Sequence, residues 1–188
     1  NFSIFFTVLC IVLFVNAFNM FDGINCQTGL YSLFIFFVLL KNGQNIFLIT
    51  TFLIPLIFFL ILNYNNKTFL GNSGSYMLPI VISQLLILPY NQVKFFSDEI
   101  LLILLFPGLD MLRLFIFRLI KNQNPFKGDK NHLHHLITRK IGLIPSLFLT
   151  IGFTVFLYVA YIMTNISMVF FLMTIVFYYL LIYFFFKN

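Results

Sequence analysis

Seven nearly unbroken apolar runs are separated by short polar stretches along this chain, at about residues 4–21, 29–40, 46–62, 74–89, 100–119, 144–163 and 166–186. Continuous runs of this kind mark helices, because the strands of a membrane barrel alternate with a period of two. Crossing the hydrocarbon core takes roughly 20 apolar residues, with a range of about 17–25. Most runs meet that length or come close. The second, "GLYSLFIFFVLL", is short, and reads as a tilted helix, a helix in thinned bilayer or a half-span. The pattern predicts an all-α, polytopic transmembrane helical bundle of about seven spans, one integral membrane domain over residues 1–188. It has no internal repeat and no soluble domain, and its longest polar stretch is a loop at 120–143.

Composition agrees. Hydrophobic residues make up 61% of the chain and charged residues 9%, where a soluble domain carries roughly 25% charged residues. Phe alone fills 29 positions. Cys10 and Cys26 fit no metal or disulfide spacing, and Cys10 reads as lipid-facing or core filler. The chain begins at Asn1 at the edge of an apolar run, without the basic segment and small-residue cleavage site of a signal peptide. The expectation is a chain truncated from a longer protein.

Charge orients the bundle. With seven spans, Lys41 and Lys94 fall to one side of the membrane, and the remaining Lys and Arg residues, Lys67, Arg118, Lys121, Arg139 and Lys187 among them, to the other. Positive charge accumulates in the cytoplasm, so that side is expected to be cytoplasmic. Three polar clusters lie there: "NAFNMFDGIN" (16–25), "FLGNSGSYM" (69–77) and "PFKGDKNHLHHLI" (125–137).

Each cluster has a structural and a functional reading. Asn16, Asn19 and Asp22 are three apart and share one helical face; they read as interhelical glue with a helix-end cap, or as a lining of a cytoplasmic cavity. "GNSGS" (71–75) reads as turn chemistry with a serine cap, or as a close backbone approach and helix N-terminus for a phosphate. Asp110 and Arg113 are placed to form an ion pair within the fifth run. The basic residues of 120–143 suit an anchor on anionic lipid. His132, His134 and His135 go beyond that role, and fit either a metal site or a set of phosphate donors.

Taken in order, "NAFNMFDGINC", "FLGNSGS", "PGLD" and "PFKGDKNHLHH" resemble the motifs of the polyprenyl-phosphate N-acetylhexosamine-1-phosphate transferases, the bacterial glycosyltransferase family 4. The resemblance covers about residues 14–140. It implies transfer of N-acetylhexosamine-1-phosphate from a UDP-sugar to a polyprenyl phosphate such as undecaprenyl phosphate, releasing UMP, at the cytoplasmic face of the bacterial inner membrane. Such a step opens a cell-envelope polysaccharide pathway. Mg²⁺, or Mn²⁺, is the implied cofactor, because phosphoryl transfer between two polyanions needs its charge neutralised. Carried over by motif, Asn19 and Asn72 are metal ligands and Asp22 is the catalytic residue. Asn16, Gly71, Ser73, Gly74, Ser75, Arg118, Lys130, His132, His134 and His135 bind substrate. The partners are a membrane lipid and a UDP-sugar, with no nucleic acid; a homodimer is compatible with the resemblance.

The chain departs from the family pattern in three places. Asn72 and Asn25 stand where the family has Asp, and the upstream Asp-Asp-x-x-Asp motif is absent. The expectation is therefore that these 188 residues are inactive alone. Two alternatives remain open: a catalytically impaired protein of the same fold, and a transporter or channel with a cytoplasmic histidine metal site.

Overall fold

The computed structural model describes residues 2–43, 46–92, 94–122, 124 and 132–186. The helices are α1 (Phe2–Phe21), α2 (Gln27–Lys41), α3 (Ile46–Tyr64), α4 (Gly71–Asn91), α5 (Ser97–Ile120), α6 (Leu133–Ile141), α7 (Leu143–Leu147), α8 (Phe153–Thr164) and α9 (Ser167–Phe186). A π-helical turn, Phe148–Gly152, joins α7 to α8, so that 143–164 forms one continuous span. No strand occurs among the described residues. Among the described residues, six helical segments are long and apolar enough to cross a membrane. The protein is an all-α, multi-pass membrane bundle, as its hydrophobic pattern predicts.

The short second run is explained by its position. Ten of the 15 residues of α2 are buried, against four of the 19 in α3. α2 therefore sits inside the bundle, while α3 presents most of its surface outward. It packs on α3 and α4; α1 packs on α4 and α5, and α5 on α8 and α9. At the centre, aromatic rings meet edge to face, Phe21 with Tyr31 at 5.2 Å and Phe34 with Tyr158 at 5.5 Å. This geometry sets the positive ring edge against the negative face.

Tyr31 has a second task. Pro107 lies inside α5, and a proline has no N–H to bond the carbonyl four residues earlier. That carbonyl belongs to Ile103, and the Tyr31 hydroxyl donates to it at 2.8 Å. In an apolar interior an unsatisfied carbonyl is costly, so α2 supplies the bond that α5 cannot make for itself.

The structure refines two boundaries. α4 starts at Gly71, so "GNSGS" is the first turn of a helix and not a loop before it. Part of the 120–143 loop is the amphipathic helix α6. Leu133 and Ile137, four apart, are buried, while Arg139 and Lys140 in the last turn are exposed, where positive charge complements the helix dipole. A nine-residue helix leaves too short a periodic pattern to stand out beside membrane spans.

Replacing Tyr31 with Phe leaves the Ile103 carbonyl without a donor. The expected cost is about 1–3 kcal/mol, read as a lower Tm in detergent micelles; an unchanged Tm would show that the Pro107 gap is satisfied otherwise.

Candidate functional site

The site forms where α1 ends and α4 begins. α1 carries Asn19 in its last turn, and Asp22 follows directly after the helix. Gly71 opens α4 with φ +64°, a left-handed conformation that glycine adopts without steric cost. Asn19, Asp22, Phe69, Gly71, Asn72 and Ser75 line a cavity of ≈ 580 Å³. Ser75 is buried, and its hydroxyl donates to Asn19 Oδ1 at 2.6 Å. Asn19 Nδ2 donates in turn to the Tyr76 hydroxyl at 3.3 Å. Asn19 thus has a fixed orientation, with its oxygen turned toward α4. Burial raises the Asp22 pKa above the ordinary carboxylate value, and the Thr28 hydroxyl offsets part of that rise. A partly desolvated carboxylate in a cavity gains from any cation brought beside it.

A second constellation comes from α5, α6 and α9. The buried Asp110 carboxylate receives four donors. Arg113 Nη2 lies at 3.0 Å, the Leu133 backbone N–H at 3.2 Å, the Tyr178 hydroxyl at 2.9 Å and His132 Nδ1 at 2.8 Å. The ion pair expected from the Asp110–Arg113 spacing is present. Asp110 also satisfies the first free N–H of α6 and holds His132 immediately before it. Ligand atoms of Asp110, His132 and His134 fall within 4.8 Å of one another, as a metal site would require. Three of these donors share Oδ1 and His132 alone meets Oδ2. The cluster is a hydrogen-bonded anchor for α6.

The anchor brings the histidines to the cleft. Phe21, next to Asp22, meets the His134 ring edge to face at 5.9 Å. A side chain added at Gly23 would run into His134 Nε2, and would lie 2.8 Å from His135 Nε2. Position 23 is glycine because the imidazoles occupy the space a Cβ would take. His134 and His135 lie 4.5 Å apart, centre to centre. Burial pushes the His134 pKa down to about 3, so its ring is neutral at physiological pH.

Among the residues singled out in the sequence, Asn19, Asp22, Gly71, Asn72 and Ser75 meet in one cavity. His132, His134 and His135 gather beside it through Gly23 and Phe21. Ser73 is exposed and Gly74 half-buried in the first turn of α4, away from the lining. Arg118 is buried in the last turn of α5 and is also outside the lining. Asn16 is exposed, and its amide donates to the Val12 carbonyl of its own helix at 2.9 Å. Lys130, with Lys127 and Asp129, lies outside the described residues. No local pattern marks Asp110 and Tyr178 as supports of the histidine helix, since Asp110 lies 22 residues from His132 and 68 from Tyr178. Phe69 and Tyr76 stood inside the quoted motif, but their types alone did not mark them.

Comparison with known proteins adds to this geometry. The family model described as glycosyl transferase family 4 matches residues 1–89. An undecaprenyl-phosphate α-N-acetylglucosaminyl 1-phosphate transferase of Thermotoga maritima is 35% identical over 153 residues, covering 79% of this chain and 48% of that protein. Proteins of the same name from Salmonella typhi and Escherichia coli K12 are 32% identical over 152 residues, covering 73% of this chain and 41% of theirs. The chain thus spans about half the length, or less, of the curated relatives it matches. No solved structure matches it.

Two outcomes follow from the packing of His134. Gly23→Ala should cost about 1–3 kcal/mol by overpacking and loosen α6, read as faster amide exchange across 132–141; unchanged exchange there would refute the contact. The His134 pKa is about 3 in the folded protein, against an ordinary value of 6.5. Between those values the unfolded chain binds the extra proton, so stability is full above the ordinary imidazole pKa and falls as pH drops below it. Tm should drop between pH 7 and pH 5, and drop less in His134→Gln; equal drops would remove His134 as the cause.

Proposed function

The chain belongs to glycosyl transferase family 4, and from that premise we propose that its cleft transfers N-acetylglucosamine-1-phosphate from a UDP-sugar to undecaprenyl phosphate. An oxygen of the lipid phosphate attacks the β-phosphorus of the nucleotide sugar. The bond from that phosphorus to the bridging oxygen breaks, UMP leaves with the bond's electrons, and a lipid-linked pyrophosphoryl sugar remains. The reaction would take place at the cytoplasmic face of the bacterial inner membrane, as the first step in building an envelope polysaccharide. The observation that carries this reading is the convergence of Asp22, Asn19 and Asn72 on one cavity, with the histidine helix packed against the adjoining Gly23.

The donors in the cavity are a carboxylate and two amide oxygens. This all-oxygen set suits Mg²⁺ or Mn²⁺, which is held by few protein groups together with substrate phosphates. Such an ion would offset the charge of the two phosphorylated substrates. Asp22, Asn19 and Asn72 would hold it. The first turn of α4 offers backbone N–H groups that have no partner within the helix, suited to a phosphate oxygen. His135 and the neutral His134 lie beside the Asp22–Gly23 turn, placed to orient the nucleotide without adding a buried charge. With Asn72 neutral, the cavity would hold such a cation less strongly than one with a second carboxylate.

That last point favours a second reading, in which the cavity binds a nucleotide sugar or lipid phosphate without turnover. Incorporation of labelled UDP-N-acetylglucosamine into lipid, in membranes carrying the complete protein, separates the two. Transfer that falls at least about 100-fold in Asp22→Asn, with membrane insertion intact, supports the transferase. Transfer that appears only in Asn72→Asp supports the second reading, and no transfer in any variant rejects the first.

A further inference from the structure

Behind the cleft, α3 ends in a buried amide. Asn63 lies in the last turn of an otherwise apolar span and is 4% exposed. A polar group is costly there unless it is hydrogen-bonded, and both ends of this one are. Its Oδ1 accepts the Cys26 backbone N–H at 2.6 Å, and its Nδ2 donates to the Thr68 carbonyl at 2.7 Å. Cys26 closes the α1–α2 turn that carries Asp22, and Thr68 stands directly before Phe69 in the approach to α4. One side chain therefore bonds the backbones of both loops that bound the cavity, without lining it.

A second tie runs parallel to the first. Asn25 Nδ2 donates to Asn66 Oδ1 at 2.6 Å. Cys26 has a left-handed backbone with φ 65°. A cysteine keeps that conformation only where the surroundings hold it, and its N–H is the group that Asn63 accepts.

We infer that Asn63, assisted by the Asn25–Asn66 pair, is a positioning residue that sets the separation between the Asp22 and Asn72 walls of the cleft. Only an amide of this length both accepts from Cys26 and donates to Thr68. A carboxylate at position 63 keeps the first bond and turns an acceptor against the Thr68 carbonyl. Asn25, where the resembled family carries Asp, is a tie between loops in this chain.

The turnover arm of the test rests on the transferase reading; the exchange arm does not. In the complete protein in membranes, Asn63→Ala should speed amide exchange roughly tenfold in 22–28 and 66–72 together. Asn63→Asp should keep protection at Cys26 while the 66–72 side loosens. Transfer of the labelled sugar phosphate should fall about tenfold to a hundredfold in kcat, with KM for UDP-N-acetylglucosamine changed less than about threefold. In Asn63→Ala, faster exchange in one loop alone, or unchanged kcat with both loops loosened, overturns the inference; in Asn63→Asp, equal loosening of both loops does so. If Asn63→Ala does not insert, the half-buried Asn25→Ala tests the same coupling through the outer tie, and exchange confined to 22–28 counts against it. If the wild type shows no transfer, the transferase reading falls while the exchange arm still decides whether the loops are tied.

Discussion

A carboxylate inside an apolar bundle is tolerated only when its charge and lone pairs are met, and Asp110 meets that condition with partners from three helices. Arg113 comes from its own helix, Tyr178 from α9, and His132 with the Leu133 N–H from the start of α6. Removing any one donor leaves the carboxylate less well satisfied, so the three elements are held together by the cost of separating them. Arg113 Nε also donates to the Tyr178 hydroxyl at 2.7 Å, which closes the network. The position of every imidazole near the cleft depends on this anchor, because α6 itself is only nine residues long. Helices that short are marginal without tertiary support.

The cleft has the opposite character. Asp22 is partly desolvated with a raised pKa, and among the described residues no basic side chain lines the cavity. Asp110 is met by donors from three helices, whereas Asp22 stays partly desolvated, a state that a neighbouring cation would stabilise. That difference separates a structural carboxylate from one suited to polyanion chemistry, although both occur next to helix ends in the same bundle.

Beside these charged groups stands a set of neutral amides. Asn19, Asn25, Asn63 and Asn66 each bond a group on another element. An amide both donates and accepts without adding charge, which suits residues that must hold loops beside a site whose electrostatics matter. Asn16 has the same side chain in the same motif but bonds its own helix, so residue type and spacing did not separate the amides that build the site from one that does not.

The hydrophobic pattern by itself determined the all-α membrane bundle and the positions of its spans, because spanning a bilayer imposes length and apolarity on each segment separately. The order of the motifs pointed to polar clusters that could share one cleft, and Asp22, Asn19 and Asn72 from two of them line one cavity. Tertiary structure alone decided that α2 is central rather than lipid-facing, that Tyr31 completes the proline-broken α5, that Asp110 anchors the histidine helix, and that Asn63 ties two loops. Each of the last three rests on a bond between groups distant in the chain: 72 residues for Tyr31 and Ile103, 22 for Asp110 and His132, and 37 for Cys26 and Asn63. A local pattern records what one segment requires of its solvent. It holds no record of which buried donor will meet which acceptor, and that is settled only when the helices pack.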